Sequence, residues 1–401
     1  MGGFAPGAIA EPTLVTTHRD PASLVGARII ADVADEIHFI EPKASPLTAV
    51  LGGIRKKRKA TQYRVDWMEK DPLPRRLTVN GSHTAAVTTV NVVSGDGTKV
   101  GINYVLQNTR TGEQVVLTAT PAADALAVVR AIGGGAAVMD DGDTLVFTRA
   151  VFPGGSALGV MKSTVERDEY NLCEIIRTAI GFTGREMNTD LYGGSDLLSE
   201  RTAQAVEHNK SKEYALLFGR RHSRTHANGH LQTMMNGLEN VIETNVWDLG
   251  GQVTPTYAAF TLWLEHAMQH GKSGKRFGRG VKYFFCSDHW LTVIQSWMEQ
   301  QLEYRPLDKQ IGVEAATIIT MHGQVKIVPE PILSEFHSDM GFLLDMGNLR
   351  YVYHQGRDTK LLKNRQGNDE DLYEEELFSD ISVEISNQRA HGIARGLPDA
   401  A

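Results

Sequence analysis

Between Ser195 and Gly219 run about 23 residues without a glycine or a proline, and nothing else in the sequence narrows the possible folds as much. At 1.5 Å per residue such a stretch makes a helix about 35 Å long, enough to cross a whole domain. Ser195 is a good N-cap and Asp196 suits the first turn. Gly219 is a good stop, and Arg220 and Arg221 follow it. Leu198, Ala205 and Leu216 are apolar, whereas Glu200, Arg201, Glu207, Lys210, Lys212 and Glu213 are charged. The pattern predicts one long helix lying across a surface.

The chain before this helix is of two kinds. Gly, Pro and Thr dominate to about Pro21, and Leu24, Ala27, Ala31, Ala34 and Ile37 then fall on one helical face. Glu41-Pro42 stops that stretch, and Ser45-Pro46 opens a short second helix that Gly52-Gly53 ends. The basic run Arg55-Lys56-Lys57-Arg58-Lys59 leads into Tyr63–Trp67, which alternates like a strand. From about Asp71 to Phe182 the pattern is β. Short β-branched runs at 87–93, 104–106, 115–118, 127–131 and 144–147 are separated by turns such as Gly95-Asp96-Gly97 and Asp140-Asp141-Gly142-Asp143. Runs this short bury little alone. They predict a small β module, at about 95–143, carried on a longer two-stranded projection.

After the long helix the chain alternates helix and strand. Thr254-Pro255 caps a helix bearing Tyr257, Phe260, Leu264 and Met268, ended by Gly271; Val281 to Cys286 reads as a buried strand. Ser287-Asp288 caps a helix through Trp290, Ile294 and Trp297, and His322-Gly323 marks a hairpin. Further strands are expected at 342–345, 349–353 and 381–385. The fold class is α+β with a mixed sheet.

With 401 residues, two or three domains are expected. Hydrophobic residues at 41% and charged residues at 22% exclude wholesale disorder. A net charge of −7 argues against coating nucleic acid by bulk positive charge. Cys173 and Cys286 read as free thiols of a reducing compartment. The N-terminus lacks the pattern of a signal peptide, and no run of apolar residues is long enough for a membrane helix, so an intracellular chain without a membrane partner is expected.

Motifs that carry chemistry are incomplete. Gly271-Lys272-Ser273 lacks the earlier glycine of a phosphate loop, because position 266 is His266. His222, His226 and His230 have metal-binding spacing on a helix, but Gly219 and Asn228-Gly229 break any helix there, which favours polar loop histidines. Neither Gly154–Leu158 nor Gly193–Leu197 completes a nucleophile elbow. Asp140 to Asp143 lack the spacing of a calcium loop, and a solvated turn is the better reading. No catalytic residue, cofactor or metal is expected. The candidate contacts are with another subunit: Arg55, Lys56, Lys57, Arg58 and Lys59 against the densest acidic cluster, Asp369, Glu370, Asp371, Glu374, Glu375 and Glu376.

Several segments occur in a familiar order. Ala34-Asp35-Glu36-Ile37, Glu41–Leu47 and Val65–Asp71 are similar to the N-arm of phage major capsid proteins with the Hong Kong 97-like fold. Ser195 to Gly219 resembles that family's spine helix, and Met235–Leu238, Phe284–Ser287 and Met321–Gly323 resemble its A domain. Gly356–Lys360, with the acidic segment and strand after it, resembles the closing stretch. The resemblance, from about Ala27 to Gly396, implies an N-terminal arm (1–62), an E-loop with the inserted β module (63–182), a spine helix and P domain (183–230), an A domain (231–345) and return strands with a tail (346–401). It implies a structural major capsid protein that self-assembles as hexamers and pentamers into an icosahedral head enclosing phage double-stranded DNA, without sequence-specific binding. Implied partners are a separate scaffolding protein, a portal and a decoration protein, with assembly in the host bacterial cytoplasm. An encapsulin-like compartment of the same fold and a soluble enzyme are the alternatives.

Overall fold

The computed structural model describes residues 45–53, 57–156, 162–188, 196–251, 254–269, 280–301 and 316–398. The arm helix expected around 24–37 lies outside them, as do Arg55, Lys56 and Gly271.

The chain enters through α1 (Pro46–Gly53), whose Leu47, Val50 and Leu51 are buried in the central core. The basic run continues as a strand, β1 (Lys57–Ala60), followed by β2 (Arg64–Glu69). Six strands then form one antiparallel sheet: β3 (Arg76–Thr78), β4 (Thr89–Asn91), β5 (Tyr104–Asn108), β6 (Gln114–Leu117), β7 (Ala125–Val129) and β8 (Thr144–Ala150), in the order β3-β8-β5-β6-β7-β4. Leu77, Val90, Leu106, Val115, Leu117, Leu126 and Leu145 give this module a core of its own. The module therefore spans 76–150, wider than the 95–143 expected. The reason is pairing across distance: β3 has three residues and finds its partner in β8, Leu77 opposite Leu145.

β9 (Arg167–Leu172) returns antiparallel to β2, with Arg64 opposite Leu172 and Glu69 opposite Arg167, as the stem of the projection. β10 (Glu174–Thr183) and the short α2 (Gly184–Met187) lead to the long helix α3 (Asp196–Phe218), where its capping residues placed it. Its end rests on close approach. The helix C-terminus and Gly237 meet backbone to backbone, Gly237 N–H donating to the Gly219 carbonyl at 2.7 Å. A Cβ on Gly219 would lie 2.4 Å from the Ala215 oxygen and 2.8 Å from that of Met235. Between them β11 (His222–Thr225) and β12 (Leu231–Met234) form a hairpin, with His222 at the start of β11 and His226 and His230 in its turn, all three exposed.

α4 (Leu238–Val241), β13 (Val246–Asp248), α5 (Tyr257–Met268), β14 (Val281–Cys286) and α6 (Asp288–Gln301) follow. The cap of α5 is Thr256, not Thr254, its hydroxyl accepting from Ala259 N–H at 3.3 Å. β15 (Ala316–Thr320) and β16 (Gly323–Pro329) make the expected hairpin, and α7 (Pro331–Phe336) leads into β17 (Gly341–Leu344). The last strands are β18 (Leu349–His354), β19 (Lys360–Leu362), β20 (Leu372–Ile385) and β21 (Gly392–Arg395).

Two sheets build the body. One has the order β13-β21-β17-β14-β16-β15; the other has β1-β18-β20-β10 with β19 also on β20. The first sheet lies between two cores. Phe285, Phe342 and Leu344 face the central one with α1, and Phe284, Leu343 and Val325 face the one built by α5 and α6. Phe342-Leu343-Leu344 is apolar throughout because both faces of its strand are covered. In the second core, Trp263, Trp290 and Trp297 each donate the indole N–H to a backbone carbonyl at 3.0 Å, which makes their burial affordable.

Candidate interaction surfaces

α3 does not rest on the second sheet through an apolar stripe. Leu198 is exposed, and the helix meets the core at its far end, where Leu216 and Leu217 are buried with Ala215 and Phe218 packed beside them. Its underside is polar. Arg201 grips Glu375 on β20, with Nε at 2.6 Å from Oε2. His208 sits between Thr178 and Ser379, its Nδ1 3.0 Å from the Thr178 hydroxyl and its Nε2 2.7 Å from that of Ser379. Lys212 donates to the Thr359 hydroxyl at 3.1 Å. Burial, then the charge of Lys212, pushes the His208 pKa down to about 4, so the ring is neutral at neutral pH. The arginine holds the Glu375 carboxyl below its usual range.

This seam decides the fate of much of the acidic cluster. Glu376 pairs with Arg177 at 2.9 Å and with Arg365 at 3.1 Å. Further along β20, Asp380 takes Arg357 at 2.8 Å, and Glu384 takes both Arg58 at 2.6 Å and Arg350 at 3.3 Å. Buried carboxylates need such partners. Asp369, Glu370 and Asp371, ahead of β20, are exposed, and Glu374 is half-buried.

The described part of the basic run is likewise engaged at home. β1 lies parallel to β18, Lys57 opposite Tyr351 and Lys59 opposite Tyr353. Lys57 reaches Asp358 at 3.2 Å, Arg58 reaches Glu384, and Lys59 is exposed. Among the described residues, Lys57 to Lys59 do not meet the acidic run 369–376 within one chain. A strand reading KRKA carries no β signal; its extended form is imposed by β18, and only knowledge of that pairing could have revealed it.

The surfaces without an internal role are elsewhere. On the stem, Met68 and Val165 are 77% and 84% exposed, and Met321 at the tip of the β15–β16 hairpin is fully exposed. Tyr214 and Phe336 form an exposed aromatic edge, ring centroids 6.0 Å apart, beside the end of α3. Where the stem meets the body there is a polar cleft of about 320 Å³ lined by Trp67, Glu69, Arg167, Tyr170, Arg221 and Asn236, among others. Tyr170 lies between the guanidinium groups of Arg64 and Arg221, each 4.0 Å from its ring centre. Glu69 is taken by Asn387 N–H at 2.7 Å and by Arg167, which also holds Glu169 at 2.8 Å. That arrangement braces the stem on the body. Among the described residues no group of three His, Cys, Asp or Glu could hold a metal, and no helix is long and apolar enough to cross a membrane. Both cysteines are free and buried, and burial pushes the Cys173 thiol up to about 12. Asp143, in the turn weighed for calcium, is held by Arg110 at 2.7 Å and Asn108 at 2.8 Å.

Comparison with known proteins places this geometry. No curated protein matches the chain. Among solved structures, the cyanophage A-1(L) capsid asymmetric unit shares the fold with a TM-score of 0.50 at 12% identity, over 93% of this chain and 98% of that one. The capsid of Myoviridae phage XM1 gives 0.46 at 9% identity over 94% and 100%. The SrpI encapsulin of Synechococcus elongatus PCC 7942 gives 0.40 at 11% identity over 59% and 78%. The family model described as SU10 major capsid protein matches residues 13–398. A match of that extent settles the kinship: the chain belongs to the SU10 major capsid protein family, a structural shell protein of the virion with the Hong Kong 97-like α+β fold.

Proposed function

We propose that this subunit assembles as hexamers and pentamers into an icosahedral phage head enclosing double-stranded DNA, without catalysing a reaction of its own. The observation that carries the reading is the projection. A module with a private core stands on a two-stranded stem that exposes Met68 and Val165. Neither contributes to the cores of the body, and exposed apolar side chains on such an extension gain only against a neighbour. Obligate interfaces often bury more than about 2,000 Å², which reaching elements supply without a larger core. The net charge of −7 suits a container that encloses DNA rather than coating it.

In this reading 1–62 is the arm and 63–182 the E-loop. Residues 183–230 hold the spine helix and P domain, 231–345 form the A domain, and 346–401 return to both. Assembly takes place in the host bacterial cytoplasm with a separate scaffolding protein and a portal. Arg55, Lys56 and Lys59 of one subunit meet Asp369, Glu370, Asp371 and Glu374 of the next. Lys57, Arg58, Glu375 and Glu376, which have partners at home, have less to offer a neighbour.

The test is co-expression of the full chain with its scaffolding protein and portal, followed by negative-stain microscopy. Closed shells tens of nanometres across, with rings of six and five, are expected. Small oligomers under every assembly condition, or shells holding a protein cargo in place of DNA, would overturn the reading.

A further inference from the structure

Where α1 meets the C-terminal half of α3, two carboxyl groups are buried together. Glu213 on α3 and Glu330, between β16 and α7, are both 0% exposed. Glu213 Oε1 accepts from the Leu47 N–H of α1, and its Oε2 lies 3.2 Å from the Thr48 hydroxyl. The main chain of Glu330 is engaged, its N–H donating to the Cys286 carbonyl at 2.9 Å and its carbonyl accepting from Leu333 N–H at 3.1 Å. Its carboxyl makes no hydrogen bond of good geometry with any described N–H or hydroxyl; the N–H groups of Ile332 and Leu47 come close enough only to oppose in part the effect of burial. Its polar neighbour is the Glu213 carboxyl, with which it shares a hydrogen bond. Ionised carboxylates only accept, so that bond exists only while one of the pair holds a proton.

Among the described residues, no cation forms an ion pair with either carboxyl. α1 has no charged residue in its sequence PLTAVLGG. On α3, Lys212 feels Glu213 but donates to Thr359, and His208 is taken by Thr178 and Ser379. Across from Glu330, the Cys286 thiol is kept protonated by burial, and Asp288 and Glu335 are acidic. Arg350 of β18, which also packs on α1, is tied to Glu384.

We propose that Glu213 and Glu330 form a proton-operated clasp: sharing one proton, they fasten α1 to α3 and to the β16–α7 corner, and losing it loosens α1 from the central core. Burial raises both carboxyls, that of Glu213 up to about 7, against an ordinary value of 4.5. A group raised in the closed state stabilises that state fully below its open-state value and progressively less above it. The clasp is therefore tight in mild acid and weakens progressively as pH rises above 4.5, through about 7 and beyond, because Glu330 too is raised well above its ordinary value. It is a property of the single subunit, independent of the shell geometry proposed above.

Hydrogen exchange on the full-length subunit tests it. After correction for intrinsic exchange, the closed-to-open ratio at Thr48 to Leu51 is expected to fall by at least about tenfold per pH unit between pH 5 and 7, one factor of ten for each proton released on opening. Glu330→Gln keeps a donor facing Glu213 and removes one of the two titrating carboxyls, and should make that protection depend less steeply on pH. Flat protection in the wild type, or the same slope in Glu330→Gln, would overturn the proposal. If that variant does not fold, infrared spectra of the wild type decide. A buried protonated carboxyl at pH 6 that ionises by pH 8 supports the clasp, and its absence at pH 6 rejects it.

Discussion

Arg130 and Glu113 show what a single buried pair does in this molecule. Both side chains are almost wholly inside the module, joined by two hydrogen bonds of 3.0 and 2.6 Å. Glu113 also accepts from the N–H of Ala137 at 3.1 Å, and Arg130 donates to the Thr84 carbonyl at 2.6 Å. Removing one partner leaves the other charge buried. Glu113→Ala should therefore destabilise the module by about 3–5 kcal/mol, read as faster hydrogen exchange in 76–150 with α5 and α6 unchanged. Replacing both residues with apolar ones of similar size should cost far less. His208 gives a pH dependence with a definite sign. Its folded value is depressed to about 4 from 6.5, so the stability it contributes is present above 6.5 and lost as pH falls towards 4. The urea midpoint should drop over that range and drop less in His208→Gln, with His391, depressed by the same burial, supplying part of the remaining slope. The slope is opposite to that of the Glu213–Glu330 pair, so the two variants separate the contributions.

At the scale of elements, the module is the unit to cut, and its true edges matter. Removing 76–150 while joining β2 to β9 should leave a soluble, folded body, because the module's core is its own. Removing only 95–143 leaves β4 without β7 and β8 without β5, and should give aggregating protein. Circular dichroism and size-exclusion chromatography of the two deletions check this. The difference also explains what the sequence could reveal. α3 and the β15–β16 hairpin were legible because their signals are local: a cap, a stop, and His322-Gly323 between two β-branched runs. β3 and β1 were not, because each is a short strand held by a partner far along the chain. The polar underside of α3 was hidden for a related reason. Arg201, His208 and Lys212 look like a solvated face until β10, β20 and Thr359 are laid beneath them. Neither the burial of His208 and Lys212 nor their partners could be read from the pattern.

At the scale of the molecule, the subunit solves its charge balance inside itself along β20 and leaves a smaller remainder for its neighbours. Exposed ion pairs are individually worth only about 0.2–1 kcal/mol, yet repeated around a shell they select correct docking. Reversing Lys56 and Lys59 to Glu should lower assembly yield, and adding Asp369→Lys and Glu370→Lys should partly restore it. With a Debye length of about 8 Å at physiological salt, the effect should fade as salt rises. Unchanged yield in the first variant would mean that these charges merely face water. The claim on which everything else rests is that the stem, the module and the edge of α3 are built for neighbouring subunits. A cryo-electron microscopy reconstruction of the assembled particle tests it most directly. We predict density in which the stem and module of each subunit lie against the next, with Met68, Val165 and Met321 covered. A particle in which those side chains face solvent and each projection touches only its own subunit would contradict the account.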